Sequence, residues 1–164
     1  MPRPSRRLDL IVLPSKPADW ALSHIERLVT ALESRLVLQD CKAGPEAHWW
    51  ISGGFQSARI DVGPMRFFAN QTGGFRVSCP ETGGNLVPTF SSALAKWRAG
   101  GARDLLCGLC GERHSLEYLD FVPPAAFATA AVTFADVASA SLTSEGLGLL
   151  HDLLPSARVV LRRP

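Results

Sequence analysis

Apolar positions along this chain change spacing several times, and each change marks an element. Residues 8–13 form a short apolar run, with Asp9 inside it and Pro14 closing it, which predicts a strand. Residues 15–19 offer a capping serine, a first-turn proline and an early acid. Leu22, Ile25, Leu28, Val29, Leu32 and Leu36 then follow at spacings of three and four. Glu26, Arg27, Glu33 and Arg35 fall mostly off that stripe, so the segment is predicted as an amphipathic helix running toward a strand at 36–38. Gly44-Pro45 marks a turn, and Trp49-Trp50-Ile51 is a dense apolar patch ahead of Gly53-Gly54. Taken as extended, that patch turns adjacent side chains to opposite faces, so one tryptophan of the pair is expected in the core.

Residues 58–62 alternate as a strand, with Ile60 and Val62 on one face, and 65–69 with 75–78 read as a hairpin around 70–74. A second helix is predicted over 88–99, opened by Pro88 and closed by Gly100-Gly101. Its apolar face is Phe90, Ala93, Leu94 and Trp97, so Trp97 is expected to be buried. Strands are expected at 102–106, 116–121, 129–134 and 158–161, with Pro123-Pro124 forcing an extended break. A third helix is predicted over 141–154, weakened by Gly146 and Gly148 at about 1 kcal/mol each relative to Ala.

Strands and helices thus alternate at both ends of a β-rich centre. The expected fold is α+β, with a mixed or antiparallel sheet and about three helices. At 164 residues it is read as one domain, 1–164. Hydrophobic residues at 46% and charged residues at 20% exclude a wholly disordered chain, and no run reaches the ~18 apolar residues of a membrane span. The basic N-terminus carries too short an apolar stretch for a signal peptide, so a cytoplasmic location is expected.

A net charge of +2 implies no strong overall attraction to nucleic acid or membrane. Fourteen arginines against three lysines reflect composition, and the absence of any Lys or Arg between Phe121 and Ala157 excludes a continuous basic track through that third. A nucleic-acid face would need Arg59, Arg66, Arg76, Arg98 and Arg103 to converge in space.

The chemistry lies in the cysteines, which are Cys41, Cys79, Cys107 and Cys110. Without a secretory signal, a disulfide framework is the weaker reading. Cys107-Gly-Leu-Cys110-Gly111 has the spacing that turns two thiolates toward one tetrahedral metal, with a glycine relieving the turn. Cys79-Pro80-Glu81-Thr82-Gly83 repeats that shape, with Thr82 where the second cysteine would stand. Each element follows a predicted strand, the organisation of two hairpin tips facing one ion. His114, four residues past Cys110, is the residue able to complete a Cys3His set of Cys79, Cys107, Cys110 and His114; its other reading is a polar loop histidine. A hydroxyl is a poor substitute for a thiolate ligand. The expectation is therefore a vestigial site with no bound cofactor, zinc being the possible one.

The stretch from FRVSCPETGG through LAKWRAGG and LLCGLCG to DFVPPAAF and ARVVLRRP resembles a group of uncharacterised bacterial proteins with a central zinc-ribbon-like segment. The resemblance covers Phe75 to the C-terminus and implies a ribbon over about 75–121, degenerate here at Thr82, with the helix 88–99 inserted. It implies no established activity.

Motifs for phosphate loops, dinucleotide sites, serine hydrolases and zincins are absent. The favoured reading is a non-enzymatic binding or interaction protein built around the ribbon, whose partner is another protein rather than a membrane. Two alternatives stay open. One is a small enzyme using the Cys107/Cys110 thiols or a Glu112/His114/Glu117 site. The other is a nucleic-acid adapter.

Overall fold

The computed structural model describes residues 7–70 and 74–164. Its frame is a six-stranded antiparallel sheet in the order β10-β1-β9-β4-β3-β2. The strands are β1 (Asp9–Pro14), β2 (Leu38–Gln39), β3 (Lys42–Ala43), β4 (Ser57–Phe68), β9 (Ala126–Ala135) and β10 (Ala157–Arg162). Two two-stranded pieces are added, β5 (Arg76–Val77) with β8 (Phe121–Val122), and β6 (Asp104–Leu106) with β7 (Arg113–Ser115). The α+β class holds, with three sizeable helices, α1 (Leu22–Ser34), α3 (Val87–Arg98) and α4 (Ser144–Leu153), and a single-turn α2 (Ala47–Trp50). Among the described residues, no helix is long and apolar enough to cross a membrane.

β9 is central, hydrogen-bonded to β1 on one side and β4 on the other. It reads AFATAAVTFA and is buried almost throughout. Its alanines are poor strand formers in isolation, but they let layers approach both faces of the sheet. On one face Leu10, Val12, Ala130, Val132 and Phe134 pack against Ile25, Leu28 and Leu32 of α1, Trp50 of α2 and Leu150 of α4. A second cluster joins Val77, Phe90, Leu94, Leu105, Leu116, Phe121 and Phe127. This second cluster carries the chemistry, because Cys79 and Cys107 belong to it.

Several sequence expectations are corrected. Residues 58–62 and 65–69 are not separate strands but largely one, β4, whose register with β9 shifts between Val62 and Arg66. Pro64 has no N–H to give a ladder, so Gly63-Pro64 forms a bulge where the sequence reads as a break. The hairpin of 65–69 with 75–78 does not form: Arg66, Phe67 and Phe68 pair with β9, while Arg76 and Val77 pair with β8. Leu116–Tyr118 is a 3-10 turn rather than a strand. Trp49 and Trp50 lie on the short α2, with Trp50 fully buried and Trp49 half-buried, so one of the pair is in the core as expected. Trp97 is half-buried rather than buried; its ring meets Phe127 edge-on at 5.3 Å and closes the margin of the cluster.

The two glycines of α4 differ. A Cβ on Gly146 would lie 2.9 Å from the Trp50 carbonyl oxygen and 3.1 Å from its ring, whereas one on Gly148 would meet nothing within 4 Å. Thr143 caps the helix there, accepting from the Gly146 N–H and donating to the Trp49 carbonyl. Gly148→Ala should therefore stabilise the protein by roughly 0.5–1 kcal/mol, while Gly146→Ala should destabilise it. Urea unfolding of both variants checks this; a stabilising Gly146→Ala would contradict the close packing of α4 on α2.

Candidate metal centre

Two turns of the same construction face each other. In the first, the Gly83 N–H donates to the Cys79 carbonyl at 2.8 Å and the Cys79 N–H donates to the Gly84 carbonyl at 2.8 Å. In the second, the Gly111 N–H donates to Cys107 and the Cys107 N–H to Glu112, both at 2.9 Å. Gly83 and Gly111 take positive φ values of 73° and 80°, which a side chain would strain. The two turns also touch: a Cβ on Gly84 would sit 2.5 Å from Cδ1 of Leu109. The cluster of Val77, Leu86, Phe90, Leu105 and Phe121 fixes the elements that carry them.

At the meeting point, Cys79, Cys107, Cys110 and His114 bring one donor atom each within 4.8 Å of one another. His114 lies on β7 opposite Leu105, and its Nε2 stands 3.3 Å from Cys110 Sγ and 3.8 Å from Cys79 Sγ. A sulfur and a nitrogen on one tetrahedral zinc lie about 3.6 Å apart, from bonds of about 2.3 and 2.0–2.1 Å. The four donors therefore fit such an ion with little movement. Cys79 and Cys107 are each 1% exposed, and Cys110 and His114 are half-buried. The described cysteines are free thiols, and Cys41 is exposed and outside this group.

Thr82 proves to have a role that its reading as a missing ligand did not anticipate. Its hydroxyl hydrogen-bonds Cys79 and is the main reason that thiol falls to about 6, against the opposing effect of burial; backbone groups of Thr82 and Glu81 and the His114 ring act in the same direction. Cys110 moves the other way. A bond from the Glu112 backbone favours its thiolate, but burial, hydrogen bonds with Cys107 and Cys79 and the charge of Cys107 together push it up to about 11. Burial and the neighbouring thiols thus hold the Cys110 proton in the metal-free cluster.

These shifts set a pH dependence for the metal-free protein. Between about 6 and 9 the unfolded chain holds the Cys79 proton that the folded one has lost, so stability rises with pH. Between about 9 and 11 the folded chain keeps the Cys110 proton, so stability falls. Denaturation in chelator across that range should show a maximum near pH 9, and Cys79→Ser should remove the rising limb.

The proposed carboxylate set is not brought together. Glu117 is drawn to Arg103 at 2.9 Å, Glu112 is exposed, and no carboxylate joins the group of four among the described residues. Cys107 and Cys110 sit in the turn between β6 and β7, not at a helix start. Of the five arginines tested for convergence, Arg59, Arg66 and Arg98 line one groove with Arg162. Arg103 does not line it and bonds Met65 Sδ instead, and Arg76 lies on β5.

The fold and this site define an α+β protein with a partly buried Cys3His cluster at the junction of two glycine-closed turns. No protein-family model matches the chain, and no curated protein or solved structure matches it.

Proposed function

We propose that this is a non-enzymatic zinc-binding protein, in which one structural zinc held by Cys79, Cys107, Cys110 and His114 fastens the two turns of a ribbon-like lobe to each other and makes that lobe a rigid binding platform. The observation that carries the reading is the approach of all four donors to within 4.8 Å of one another. Four protein donors fill a tetrahedral zinc and leave no position for a substrate or an activated water, which is the mark of a structural site. Thr82 serves as an outer partner that holds Cys79 in its thiolate form, the form a metal needs. On this reading Thr82 is the support of a three-thiolate site rather than the scar of a lost one, and the resemblance to ribbon proteins extends to a working metal site.

Elemental analysis of protein purified without chelator tests it. One zinc per chain is expected for the wild type, with Cys107→Ser and His114→Ala reduced well below that. A zinc-free, folded wild type would refute the proposal, and chelator-sensitive hydrolysis of an ester, amide or phosphate would refute its non-enzymatic part.

A further inference from the structure

The groove lined by Arg59, Arg66, Arg98 and Arg162 has a volume of about 290 Å3 and is walled by Phe67 and Phe75. It does not end there. A second depression of about 460 Å3 shares Arg66, Phe67 and Arg98 with it and continues past Met65 to Trp97. The two adjoin as one channel where β4 meets α3, lined by both arginines and aromatic rings. Phe67, Phe75 and Trp97 are all half-buried, so each leaves part of its ring to the channel.

The charges are not cancelled internally. Asp61 is the shared partner of Arg59 at 3.2 Å and Arg66 at 3.6 Å, and Asp9 pairs with Arg162 at 3.0 Å. Four guanidinium groups thus face two carboxylates, leaving a local excess of two positive charges on a molecule whose net charge is only +2.

We infer that this channel binds a short single strand of nucleic acid, its phosphates on Arg66, Arg98 and Arg162 and its bases against the Phe67, Phe75 and Trp97 rings. Charge that tracks a backbone, interleaved with rings that accept any base, is the chemistry of single-strand binding, and it needs no base-specific contacts. The inference does not rest on the metal, because none of the four donors lines the channel, whose residues come from β4, α3, β10 and the segment before β5. Loss of zinc and loss of strand binding are therefore separable results.

Fluorescence anisotropy of the full chain with labelled decathymidylate tests it, with circular dichroism confirming that each variant is folded. Binding is expected in the micromolar range at about 50 mM salt. Two to three phosphate contacts should weaken it roughly 5- to 20-fold at 200 mM. Arg66→Glu with Arg98→Glu, both exposed positions, should weaken it at least about 10-fold. Arg27→Glu, on α1 against the opposite face of the sheet, should change it less than about twofold. Equal weakening by Arg27→Glu would overturn the assignment, as would the absence of binding to folded protein at low salt. So would competition by thymidine monophosphate or by a duplex as effective as that by the strand.

Discussion

With zinc held as proposed, its removal is expected to lower the thermal midpoint of the protein by about 8–16 °C. An ion held a thousandfold above its dissociation constant stabilises the folded state by about 4 kcal/mol, and each kcal/mol moves a chain of this length by about 2–4 °C. The loss should be uneven. The second hydrophobic cluster, which carries Cys79 and Cys107, loses its clasp directly, while the sheet face under α1 and α4 keeps its own core. Amide exchange should therefore accelerate first around the two turns and β6–β7, and later, if at all, in β1 and β9. Calorimetry with and without chelator, followed by return of zinc, measures the size of the effect. An unchanged midpoint in protein shown to have lost its metal would contradict a structural role.

Phe90→Ala is expected to cost about 3–5 kcal/mol, the range for truncating a fully buried phenylalanine. Phe90 is 0% exposed and its ring lies 5.0–6.4 Å from those of Phe67, Phe75, Phe121 and Phe127. These rings come from α3, β4, β8, β9 and the segment just before β5, so one side chain ties the inserted helix to the β5–β8 pair beside the first turn and to the central sheet. By contrast, half-buried Trp97 touches Phe127 from the margin, and its truncation should cost less, about 2 kcal/mol. Chemical denaturation of both variants gives the order. A Phe90→Ala loss below about 1 kcal/mol would mean that α3 is not packed as described.

The helices were legible because their signal is local. The stripe from Ile25 to Leu32 and the face of Phe90, Ala93 and Leu94 both appear in the structure as buried rows. Strand pairing was less legible, since it depends on partners far along the chain. Gly63-Pro64 looks like an end when read locally, yet β9 bridges it from both sides. Likewise Phe75 follows a glycine pair after Ala69, and proximity suggested a hairpin, but the partner of β5 lies at Phe121–Val122. The four candidate ligands were all legible from spacing, including His114, and the fold brings them together. Thr82 was read as a missing cysteine and indeed supplies no donor to the group, but the bond of its hydroxyl to Cys79 was not legible, because a motif records only the absence. The arginine channel could be named only as a condition on convergence. Arg162 enters it from the far end of the chain through the pairing of β10 with β1, and nothing local in the sequence announces that.

The most direct test of the Cys3His assignment is zinc K-edge X-ray absorption on the purified wild-type protein. Three sulfur neighbours at about 2.3 Å and one nitrogen at about 2.0–2.1 Å are predicted, with no oxygen shell. A shell of two sulfurs or fewer, or one completed by water oxygen in place of the imidazole of His114, would contradict it.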